Sequence, residues 1–206
     1  MSSSWRPRAG VGQAGRALAE AEELVGPVHS LVADALHALG ECVHSLGRVD
    51  EARTAWQRAL DIRTGQDPRH LEAAVLLDAL GRAARQAREP TEAIHLHERA
   101  LVIWSTRLGE HAGPVGACCH ALAQAHHRTG DFAGALHHIQ RAARITERTL
   151  GTDHVDTWIT RFELARFRVD CGHWLDGTRE MEQARDEVAS RLGRHHPVVT
   201  AMDRFL

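Results

Sequence analysis

The chain has 206 residues, with 25 Arg and no Lys, 27 acidic residues and 16 His; Asn and Tyr are absent too. A formal charge of -2 and a pI near 6.8 exclude a strongly basic nucleic-acid binder. Protonating every histidine would add sixteen positive charges, so the electrostatics are unusually sensitive to pH.

From the N-terminus, residues 1–9 read as a flexible lead. Met1 to Gly15 carry two Arg and no apolar core, so they do not form a secretory signal. The apolar runs, such as Ala73 to Leu77, are too short to span a bilayer. Cys42, Cys118, Cys119 and Cys171 form no CxxC pair and are expected to be free, mostly buried thiols. A cytoplasmic protein with no membrane contact follows. Lys, Asn and Tyr belong to AT-rich codons, and their joint absence points to a GC-rich, bacterial genome.

A helical stretch at residues 10–25 leads into a repeat. Leu39-Gly40, Leu80-Gly81, Leu122-Ala123 and Leu164-Ala165 stand 41, 42 and 42 residues apart. The same steps carry Ala52 to Ala93, Ala135 and Gly177, and Ala59 to Ala100, Ala142 and Ala184. Repeats are placed at about 31–64, 71–107, 114–149 and 156–191, with a partial helix at 198–206 in which the chain ends. In Leu31 to Leu46, Val32, Leu36, Leu39, Val43 and Leu46 keep helical spacing, and Val49 to Ile62 aligns Ala52, Trp56, Ala59 and Leu60. Gly47, Gly130 and Gly172 hold one inter-helix position, suited to a left-handed residue. The second repeat has Arg88 there, then Pro90, which predicts a different turn. Each helix pair leaves an apolar face open, so stacking supplies the core. The expected fold is all-α, a solenoid of about four antiparallel helix pairs with partial flanking helices, forming one domain over 10–206.

Leu-Gly, then Ala thirteen positions after that Leu and another seven later, resembles the tetratricopeptide repeat. The long period, the LG-x-x-H linkers and the segments LGTDHVDTW (150–158) and RALDIR (58–63) resemble the kinesin-light-chain subtype. The resemblance covers about residues 10 to 206. It implies a right-handed superhelix in which the first helix of each repeat lines a concave wall, and a binding module for a peptide or partner chain.

Carried onto this chain, that frame directs inward Asp34, His37, Glu41 and His44 from the first repeat and Asp78, Arg82 and Arg85 from the second. The third supplies His120, Gln124, His127 and Arg128, and the fourth Phe162 and Arg166. Across repeats Asp78 falls between His37 and His120, Arg82 between Glu41 and Gln124, and Arg85 between His44 and His127. The arginines suit a partner's acidic group, because the planar guanidinium pairs bidentately with carboxylate or phosphate. Phe162 is either an apolar anchor for that ligand or a packed aromatic. The same charges also fit a wall that is merely solvated.

An enzyme is the alternative. His37, Asp78 and His120 would then handle protons beside the two arginines. His37, Glu41, His44, His120 and His127 are a mix of metal-ligand types, although nearby Arg opposes a divalent cation. No cofactor is expected, and no direct nucleic-acid contact. The adjacent pairs His126-His127, His137-His138 and His195-His196 read as surface or linker residues apart from His127. Trp56 and Trp104 are expected to pack, with Trp158 and Trp174 near repeat junctions in the core. An open helix surface toward Leu206 predicts either self-association or a natural chain longer than this one.

Overall fold

The three-and-four spacing of Leu31–Leu46 puts its apolar residues on one helical face. In the computed structural model, which describes residues 7–206, this segment is α2 (Ser30–Ser45). Before it lies α1 (Pro7–Val25); after it come α3 (Val49–Gln66), α4 (Leu71–Gln86) and α5 (Pro90–Leu108). The series continues with α6 (Gly113–Thr129), α7 (Phe132–Leu150), α8 (Val155–Asp170), α9 (Trp174–Leu192) and α10 (Pro197–Met202). Among the described residues there is no strand. The protein is an all-α helical repeat solenoid. The N-terminal lead expected to be flexible falls mostly on residues 1–6, outside the described residues; α1 starts at Pro7 rather than at residue 10. No described helix is long and apolar enough to cross a membrane.

The residues divide into two compact units, one ending at Ile103 and the other starting at Trp104. In the first, Val32, Leu36 and Val43 of α2 are buried with Ala52, Trp56, Ala59 and Leu60 of α3. Alanine at 52 and 59 removes bulk where the helix pair meets. In the second, Phe162 and Ala165 of α8 join Met181, Ala184 and Val188 of α9 and Val199 and Met202 of α10 in one cluster. Of the four free cysteines, Cys118 and Cys119 are buried and Cys42 and Cys171 are half-buried.

The linker histidines begin helices. His29, His70, His154 and His196 are N-caps whose Nδ1 accepts the backbone N–H two residues on, at 3.2 to 3.3 Å. Each satisfies an amide that the first helical turn leaves without a partner. The third repeat has Ala112 at this place and no side-chain cap.

Two expectations about chain geometry change. The turn of the second repeat is built like the others: Arg88 takes φ 63°, beside 76° at Gly47, 82° at Gly130 and 93° at Gly172. The Arg88 amide donates to the Arg85 carbonyl and the Glu89 amide to Ala84, as Gly47 and Arg48 donate to His44 and Val43. These backbone bonds impose the left-handed conformation whichever residue occupies the site. The C-terminal helix also stops early, at Met202, and the tail turns so that Phe205 meets Phe162 edge-on, with ring centroids 6.4 Å apart.

Candidate functional site

The first unit assembles its share of the expected wall from α2 and α4. Arg82 and Asp78 lie one turn apart on α4, and Nη1 donates to Asp78 Oδ2 at 2.5 Å. Nη2 of the same guanidinium reaches Glu41 Oε1 on α2 at 3.5 Å. Glu41 is 3.8 Å from His37 Nε2, one turn earlier, and His44 Nε2 lies 2.9 Å from Gln86 Oε1. His37, Glu41, His44, Asp78 and Arg82 thus form one polar surface. Contact with His37, then the charge of Arg82, holds the Glu41 carboxyl below its ordinary range against partial burial. Asp34 belongs elsewhere: it accepts from Arg63 of α3, a buried guanidinium that also pairs with Glu72.

Asp78 has a partner that the sequence did not single out. His97 of α5 is fully buried, with Nδ1 3.1 Å from Asp78 Oδ1. Burial pushes the Asp78 carboxyl up, but His97, Arg82 and Arg85 outweigh it and hold it below the usual carboxylate range. In the repeat register His97 stands where Trp56, Ile139 and Met181 stand, each buried against the first helix of its own pair. The signal lies in the Leu-Gly motif. A Cβ at Gly40 would collide with the Trp56 indole, and one at Gly81 would lie 2.6 Å from His97 Cε1. Where the partner is Ile139 or Met181, which carry no ring, Ala123 and Ala165 occupy the same place. Flat rings on the second helix therefore require glycine on the first.

The second unit brings together a different set. His120 Nε2 is 2.6 Å from Glu163 Oε2, and Gln124 Nε2 donates to both Glu163 oxygens at 3.4 Å. His127 Nε2 is 2.7 Å from Asp170 Oδ2, while its ring stacks on Phe167 at 4.8 Å and 10°. Burial raises the Glu163 carboxyl, yet His120, Arg166 and Gln124 bring the net effect below the ordinary value. Glu163 was legible as the one acid in a column that otherwise holds Ala38, Ala79 and Ala121. The Arg166 guanidinium covers both Phe167 and Phe205 at 4.8 Å, and Arg128 is exposed.

Several candidates are corrected here. Phe162 is 4% exposed and belongs to the core, so it is no ligand anchor. Its register position faces the wall, but the tail with Phe205 closes over it. Trp174, expected in the core, is 70% exposed, whereas Trp56 is fully buried and Trp158 packs against the α8–α9 core as foreseen. His126 and His138 are half-buried rather than free on the surface. They stack at 5.2 Å between α6 and α7, and His126 Nδ1 is 2.8 Å from Asp131. Among the described residues no group of three or more His, Cys, Asp or Glu could hold a metal ion, so His37, Glu41 and His44 of the first unit form no such group, nor do His120 and His127 of the second.

Paired helices at a 42-residue period define a class of protein, the helical repeat scaffold. Models of the tetratricopeptide repeat match residues 31–105 and 115–156, and the chain belongs to that family. The nearly identical TPR-like repeats of a kinesin light chain assignment from Podosopora anserina superpose with a TM-score of 0.77 at 22% identity, covering 90% of this chain and 88% of that one. A Rap protein complexed with Competence and Sporulation Factor gives 0.65 at 16% identity, covering 95% of this chain and 50% of that one. The human clustered mitochondria protein homolog is 28% identical over 112 residues, which is 54% of this chain and only 9% of that protein's length.

Proposed function

We propose that this chain is an interaction module that binds an acidic peptide or partner-protein segment along the wall made by its first helices. The observation that carries the reading is the setting of Arg82. Two carboxylates, Asp78 and Glu41, fix its guanidinium while 42% of the side chain stays exposed. A fork already oriented on the protein loses less rotamer freedom when it meets a ligand carboxylate. Arg85, close enough to lower the Asp78 carboxyl, adds positive charge on the same helix. A protein of this fold complexed with Competence and Sporulation Factor supports the class of partner.

Selection from a random peptide library, followed by fluorescence anisotropy, tests the proposal. Replacing Arg82 and Arg85 together by Ala should weaken the selected acidic peptides at least ten-fold, with circular dichroism unchanged. Equal affinity in the double variant would overturn it.

A further inference from the structure

We propose a second ligand site, for a phosphoryl group, in the crevice where the linker before α6 lies against α7. It is a cavity of about 420 Å³ lined by Glu110, His111, Arg141, Arg144, Ile145 and Arg148. The three arginines stand three and seven positions apart, which places them on one face of α7 across successive turns. Arg141 pairs with Glu110. Arg144 and Arg148 are exposed and have no ion pair among the described residues. The nearest acid along the helix, Glu147, is engaged by Arg161 at 2.9 Å. The crevice therefore holds two positive charges that its own carboxylate does not balance.

The other repeats act as an internal control. The first has the same crevice, about 490 Å³, lined by Pro27, Val28, Arg58, Asp61, Ile62 and Gly65 among others. Arg58 and Ile62 correspond to Arg141 and Ile145, and Arg58 serves the fold by pairing with Glu22 and reaching the Pro27 carbonyl at 3.3 Å. Where the third repeat has Arg144 and Arg148, however, the first has Asp61 and Gly65, the second Val102 and Thr106, and the fourth Asp186 and Ser190. The repeat fold does not need a cation at either place. Two exposed arginines lining one cavity leave positive potential there, and a phosphoryl dianion matches their charge and their bidentate donor geometry. The cavity exceeds a bare phosphate, leaving room for the chain that carries it.

Isothermal titration at fixed ionic strength, with inorganic phosphate and with a short phosphoserine peptide and its serine counterpart, tests this site. The wild-type chain should bind phosphate saturably. The Arg144→Gln/Arg148→Gln variant should bind at least ten-fold more weakly with an unchanged melting curve in chloride, since both side chains are exposed. The Arg82→Ala/Arg85→Ala variant should bind as the wild type does, which separates this site from the wall. Tighter binding of the phosphopeptide than of phosphate identifies a phosphorylated segment as the ligand, and equal binding identifies the free ion. Absence of saturable binding to the wild type, or equal binding by the Arg144→Gln/Arg148→Gln variant, overturns the proposal.

Discussion

Gly81→Ala should destabilise the protein, against the ordinary rule that alanine improves a helix interior. Intrinsic propensity favours Ala over Gly by about 1 kcal/mol. Here the new methyl would lie 2.6 Å from His97 Cε1 and 2.7 Å from Nε2, closer than Cβ atoms tolerate. His97 has no exposed surface into which its ring can retreat, and Nδ1 faces Asp78 3.1 Å away. Overpacking costs about 1–3 kcal/mol, and a fully buried ring with no room to shift lies in the upper part of that range, about 2–3, so after the helix gain the net loss should be roughly 1–2 kcal/mol. Urea titration followed by circular dichroism measures it as a lower midpoint at unchanged slope.

The chain itself suggests the rescue. Ala123 with Ile139 is the same contact in the third repeat, so Gly81→Ala/His97→Ile should recover at least about 1 kcal/mol relative to Gly81→Ala alone. The single His97→Ile substitution opens space over Gly81 and removes the imidazole from Asp78; it should cost about 1–2 kcal/mol. A Gly81→Ala variant as stable as the wild type, or additive effects in the double variant, would refute the account of the Leu-Gly motif.

Two further outcomes follow from backbone geometry and titration. Arg88→Gly should raise stability by about 0.5–1 kcal/mol in thermal melts, because relief of a left-handed non-glycine residue exceeds the added entropy of glycine in the unfolded chain. Burial first, then the charges of His126, His137 and Arg141, push the His138 imidazole down to about 4. The unfolded imidazole protonates near 6.5, so the fold is penalised as pH falls below about 6.5, increasingly until His138 itself protonates near pH 4. Urea melts at pH 7 and pH 5 should differ by about 1–2 kcal/mol less in His138→Gln than in the wild type, after allowing for solvent screening of a half-buried ring. An unchanged difference would remove His138 as the cause.

The 42-residue register made the helix pairs legible because the burial it encodes is repeated. Four copies of one packing problem, at Ala52, Ala93, Ala135 and Gly177, give one answer four times. The expected wall was legible only as a list of positions, since register assigns a side chain to a face but not to a partner. Glu163 captured His120 and Gln124, Asp170 took His127, and Arg63 took Asp34, each choice resting on side-chain reach between helices. Phe162 shows the opposite limit, where a residue on the wall position is removed from the wall by a tail that lies outside the repeat. His97 was missed because histidine on a second helix reads as polar, and only its glycine partner records the ring it must fit. Repeat proteins therefore disclose their specific chemistry where a copy departs from its siblings. By that criterion the departures at His97, Arg144 and Arg148 carry more functional information than the histidine count.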